Sequence, residues 1–114
     1  MTQKKSVRDF NEKLLKGLYS GNFILGILVD FKGKKVPLQV KLQKDDGDYD
    51  CLMENTSLGV KIQSPKGEQS DKYCSFSYLK RSCLRILKTN GVEPILLRVF
   101  QRGSKEIVLT ERVV

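Results

Sequence analysis

The side chains that could do chemistry here are three cysteines, a surplus of lysine and arginine, and no histidine. Without histidine the chain lacks the group best suited to proton transfer near neutral pH. It also lacks the usual activator of a serine or cysteine nucleophile. Ser–Lys chemistry has the residues but no spacing that points to it. No catalytic residue is therefore expected, and the sequence reads as a non-catalytic binding module. Cys51, Cys74 and Cys83 are odd in number and form no close pairing motif. They fit buried thiols in a reducing compartment, nucleus or cytoplasm, better than a disulfide framework. Three thiols with no imidazole are also a poor zinc set.

Other cofactor signals are missing. Neither G-x-x-x-x-G-K-[ST] nor G-x-G-x-x-G occurs, and Lys32-Gly33-Lys34-Lys35 is only a basic turn. Asp45-Asp46-Gly47-Asp48-Tyr49-Asp50 lacks the twelve-residue loop ending in Glu that grips calcium, so it reads as a solvated turn. No cofactor, metal or small-molecule substrate is expected. No apolar run reaches the ~20 residues that span a bilayer, and the basic start has no apolar segment behind it. No membrane partner is expected.

Charge is the strongest signal. The 114 residues hold 21 Lys or Arg against 13 Asp or Glu, a formal +8. Five of the acids (Asp45, Asp46, Asp48, Asp50 and Glu54) fall in one ten-residue run without a base. The other 104 residues carry 21 bases and 8 acids, or +13. A polarised domain of this sign attracts anions. Lys80, Arg81, Arg85 and Lys88 fall within a helical arc of about 140°, and no acid lies between Asp71 and Glu93. Such a face can neutralise several phosphates. Lys32, Lys34 and Lys35 form a second basic cluster, at a hairpin tip. These seven residues are the candidate nucleic-acid contacts, to DNA or RNA. Tyr73, Phe76 and Tyr78 could stack on bases, although Phe76 shares the apolar side of its helix.

The elements that would hold these residues follow from periodicity. Ser6-Val7-Arg8-Asp9 has the form of a helix start, and Val7, Phe10, Leu14 and Leu18 recur at helical spacing, predicting a helix over Val7–Tyr19 stopped by Gly21. Phe23–Phe31 is nearly all apolar and suits a central strand buried on both faces, with Gly26 marking a bulge or close approach. Val36, Leu38, Val40 and Leu42 alternate with polar residues after the turn at Lys32–Lys35, so the two runs form a hairpin. Pro37 places that end of its strand at a sheet edge or beside a bulge. Further strands are predicted over Tyr49–Met53 and Leu58–Gln63, then an exposed loop over Ser64–Lys72. A second helix spans Ser77–Thr89, ended by Asn90-Gly91. Strands Ile95–Gln101 and Glu106–Val113 pair across Arg102–Lys105.

The order α-β-β-β-β-α-β-β implies an α+β fold: a mainly antiparallel sheet of about five or six strands with two helices packed on it. Residues 1–114 read as one basic domain, and a chain that stops in a strand suits a domain cut from a longer protein. A strand edge left open near Val113 and Val114, or the binding of an acidic partner segment, would offer the alternative function, a protein–protein interaction or homodimerisation domain that serves as an adaptor or scaffold. Asn55-Thr56-Ser57 matches a glycosylation pattern that this compartment would leave unused. Ser64-Pro65-Lys66 matches a proline-directed phosphorylation site, where added negative charge would oppose phosphate binding.

Overall fold

In the computed structural model of the chain, residues 2–42, 49–65 and 75–113 can be described. The elements are α1 (Thr2–Ser20), β1 (Phe23–Phe31), β2 (Lys34–Leu42), β3 (Tyr49–Asn55), a 3-10 turn (Thr56–Leu58), β4 (Val60–Pro65), α2 (Phe76–Thr89), β5 (Glu93–Gln101) and β6 (Ile107–Arg112). The strands form one six-stranded sheet in the order β4-β3-β2-β1-β5-β6, and every neighbouring pair is antiparallel. The α+β class and the element order expected from the sequence are those observed.

Strand alternation sets the two faces of the sheet. Leu25, Ile27 and Val29 of β1, Val36, Leu38 and Val40 of β2, Cys51 and Met53 of β3, and Leu97 and Val99 of β5 point to one side and are buried. Both helices lie on that side and touch one another. Leu14 of α1 and Phe76, Leu79, Cys83 and Leu87 of α2 complete a continuous core. The spacing of these α2 residues, three or four apart, is what a helix needs to present one apolar stripe. Ser75 caps α2, its side chain accepting from the Tyr78 backbone N–H at 3.1 Å.

Among the described residues no helix lies on the opposite face, which corrects the expectation that β1 is buried on both sides, although Leu52 of β3, which points to that face, is buried. Ile24, Gly26 and Leu28 are only half-buried. The apolar run reads like a strand of a doubly covered sheet, but its outward residues rest on β5 neighbours instead: Ile24 faces Phe100 and Leu28 faces Leu96.

Several boundaries differ for physical reasons. Helix α1 starts at Thr2, so Ser6 lies inside it rather than at its cap; Gln3, Lys4 and Lys5 are good helix formers that extend it upstream. Phe10, expected in the apolar stripe, is 39% exposed, because the core begins only at Leu14. The bulge expected at Gly26 lies instead on β5, where Ile95 is the extra residue opposite Leu28 and Val29. Leu58 belongs to the 3-10 turn rather than to β4: the Asn55 side chain accepts from the Leu58 N–H at 3.0 Å, and Gly59 closes the turn at φ 69°. Strand β4 continues through Ser64 and Pro65, shortening the expected loop. Residues 66–74, with Tyr73 and Cys74, lie outside the described residues, as do Asp45, Asp46 and Asp48.

Pro37 sits where β2 outruns β3. The β2–β3 ladder covers only Gln39–Leu42, so this proline has no strand beside it on that side. Its carbonyl accepts instead from the Asn55 side-chain amide at 2.9 Å. The same nitrogen would have to carry any sugar at Asn55, so glycosylation would leave it a single N–H with which to keep this contact.

Candidate nucleic-acid interface

Strand and helix directions bring the two basic clusters together. Asp30, beside the β1–β2 turn, pairs with Glu93 at the start of β5, and Glu93 follows the end of α2 by a tight turn in which the Val92 N–H bonds the Leu87 carbonyl at 2.9 Å. The hairpin tip with Lys32, Lys34 and Lys35 and the last turn of α2 with Lys88 therefore share one end of the sheet. All four side chains are exposed. The turn itself is built by the Asp30 carboxylate accepting from the Gly33 N–H at 2.9 Å. Lys32, at φ 53°, holds its ammonium 5.4 Å from the Phe31 ring centre.

On α2, Arg81, Arg85 and Lys88 are exposed and make no ion pair among the described residues. They are spaced four and three apart, so they neighbour one another along one face. Like charges so placed cost a helix about 0.2–0.5 kcal/mol per pair, and a bound anion would relieve that cost. Lys80 differs. It is half-buried and donates to Glu111 of β6 at 2.7 Å, tying the helix to an edge strand. Lys35 faces Asp30 across the β1–β2 ladder. Of the seven candidates, Lys80 and Lys35 thus have carboxylate neighbours and the other five face water.

Charge by layer is the main finding that residue-level motifs missed. Helix α1 carries Lys4, Lys5, Arg8, Lys13 and Lys16 against Asp9 and Glu12, and α2 carries four bases and no acid. The two helices together hold a formal +7 of the chain's +8, which leaves +1 for all strands and loops. Arg8, Lys13 and Lys16 of α1 are exposed as well. The helical layer, rather than the whole body outside the acidic run, is the basic surface. Tallying the charges of α1 as an element would have found it.

The uncovered sheet face has a different character. Arg98 and Arg112 lie exposed there, while Lys41 is paired to Glu54 at 2.7 Å. Phe76 is core, at 3% exposure, and Tyr78 is half-buried and engaged. Phe100, half-buried on β5, is an aromatic on this face.

No family model, curated protein or solved structure matches this chain.

In the core, Cys51 of β3 and Cys83 of α2 meet with their sulfurs 3.7 Å apart, both fully buried. The contact with Cys51, then burial, pushes the Cys83 thiol up from its ordinary 9.0. An unfolded chain releases this proton sooner than the folded one. Stability is therefore unaffected at neutral pH and falls as pH rises above about 9, until the folded thiol ionises as well. Urea midpoints measured from pH 7 to 10 should decline, and Cys83→Ala should show a shallower decline over the same range. Equal slopes would remove this role for the thiol.

Among the described residues no helix is long and apolar enough to cross a membrane. No three His, Cys, Asp or Glu side chains among them gather as a metal site.

Proposed function

We propose that this chain is a non-catalytic nucleic-acid-binding module, of the nucleus or cytoplasm, that grips phosphates with its helical layer. One observation carries the reading: α1 and α2, the two helices packed on a single side of the sheet, hold a formal +7 of the chain's charge. Arg81, Arg85 and Lys88 form the centre of the contact, with Lys32 and Lys34 at the adjoining hairpin tip. Arg8, Lys13 and Lys16 extend it along α1. Lys80 contributes less, because its charge is shared with Glu111.

Each phosphate neutralised releases condensed counterions, so affinity must be steeply salt-dependent. With five or six such contacts, the association constant for duplex DNA should fall roughly a thousandfold between ~50 and ~200 mM salt. Fluorescence polarisation with labelled RNA and DNA oligonucleotides would measure it. Failure to bind either one at low salt would remove the proposal.

A second reading, protein pairing through a sheet edge, is favoured by β6. This outermost strand leaves Ile107 55% exposed, a feature edge-to-edge association could use. Light scattering across concentration separates the two readings. A monomer at high concentration argues against self-pairing.

A further inference from the structure

The uncovered sheet face contains a shallow depression of about 310 Å³ at its centre. Its floor is Ile24, Gly26 and Phe100. Its walls include Gln39 and Lys41 of β2 and Glu54 of β3. The floor exists because of Gly26. A side chain there would rise from the middle of the sheet, and a methyl group added at that position would meet the Phe100 ring edge at 3.7 Å. The ring leans from β5 over the bare glycine, an arrangement that protects the β1 backbone. Phe100 stays half-buried, so part of the ring remains open to water.

Polar groups surround this floor. Gln39 lies directly opposite Gly26 on β2, and Arg98 lies opposite it on β5. The Gln39 amide brings both a donor and an acceptor. Lys41 and Glu54, held together at 2.7 Å, add one of each. Arg98 is exposed two residues from Phe100 on the same face and makes no ion pair among the described residues. An apolar, partly aromatic floor with amide, ammonium and carboxylate groups at its rim suits a flat heterocycle with donors and acceptors on its edge. Arg98 suits a flanking phosphate, and Lys41, its charge shared with Glu54, makes a weaker contact on the other side. The volume lies at the small end of ligand sites.

We infer that this depression holds one unpaired base of a single-stranded nucleic acid, stacked on Phe100, with Gln39 at the base edge and Arg98 and Lys41 on the flanking phosphates. The inference rests on the proposed nucleic-acid function and adds a preference for single strands. Bases inside a duplex are stacked on one another and cannot reach the floor of a sheet. An unpaired base presents its whole face, and stacking on an aromatic side chain tolerates any sequence.

The test compares a 15-nucleotide single strand with a hairpin duplex, both labelled, by polarisation at one fixed salt concentration. Phe100→Leu keeps an apolar cover over Gly26 but removes the aromatic plane. It should weaken single-strand binding by about 5- to 150-fold, the range expected for losing one stacked base, and leave duplex binding unaltered. Phe100→Tyr should keep the single-strand affinity. Should Phe100→Leu fail to fold, Gln39→Leu with Lys41→Gln gives the same readout from two exposed side chains. Unchanged single-strand affinity, or an equal loss for both ligands, overturns the stacking site while leaving the helical-layer reading intact. Absence of all nucleic-acid binding by the wild-type protein at low salt removes both.

Discussion

Replacing Arg81, Arg85 and Lys88 together by glutamine should reduce the steepness of the salt dependence by about three contacts' worth, close to 2.7 in the log–log slope for duplex DNA. Changing the same three to glutamate should abolish binding at 150 mM salt, because each site then repels the phosphate it attracted. Neither variant should unfold. The three side chains are exposed and unpaired among the described residues, and the helix keeps its buried stripe of Phe76, Leu79, Cys83 and Leu87. Surface substitutions of this kind usually move stability by no more than about 0.5 kcal/mol. Easing the crowding of like charges pulls toward a slight gain for the glutamine variant. Polarisation titrations at four salt concentrations, with thermal melts of each variant, check both halves. A glutamine triple variant with the wild-type slope would show that the phosphates sit elsewhere.

Truncating the core in the middle of the sheet should have the largest effect on stability. Ile27 lies on β1, the strand with the most contact to its neighbours, at 1% exposure between Leu38 of β2 and Leu97 of β5. Ile27→Ala removes three buried carbons and leaves a void in the core. The expected loss is about 2–5 kcal/mol, the usual cost for this change in a well-packed site. For a chain of this size that corresponds to a melting temperature roughly 10–30 °C lower. Leu28→Ala, one residue along but on the uncovered face, should cost much less, because that side chain is only half-buried. Chemical denaturation of the pair tests whether one face alone carries the core. Similar losses would mean that the outer face is covered in solution, as the edge-pairing or dimer reading would require.

How legible this fold is in its sequence varies with the kind of signal. Strand β2 announces itself through the alternation of Val36, Leu38 and Val40, and α2 through the spacing of Leu79, Cys83 and Leu87. Both signals reflect burial on one side only, which periodicity encodes directly. The position of β1 is legible but its environment is not. Its continuous apolar run cannot distinguish a strand covered on both faces from one whose outer residues lean on their neighbours. The start of α1 is hidden because a capping serine is a weak local preference, and the lysines and glutamine upstream of it stay helical at little cost.

The candidate site divides in the same way. The basic arc on α2 is a local property of one helix and can be read off directly. That Lys88 and the Lys32–Lys35 turn share an end of the molecule depends on the Asp30–Glu93 pairing, a contact between residues far apart in sequence. Nothing in the local sequence marks Lys80 as the partner of Glu111, 31 residues away. The same holds for the meeting of Cys51 and Cys83, 32 residues apart. The depression at Gly26 needs four strands in register before its floor and rim come together. Local pattern points to stacking aromatics near α2, where Phe76 is core, and gives no hint of Phe100 inside a strand.

The most direct test of the central claim is an amide chemical-shift map of the labelled protein during titration with a duplex oligonucleotide at low salt. Shifts should concentrate on α2 around Arg81, Arg85 and Lys88, on the turn at Lys32–Lys35, and on the exposed side of α1 near Lys13 and Lys16. A map in which these stay still, with shifts confined to the β6 edge or absent altogether, would contradict the assignment of the helical layer as the phosphate-binding surface.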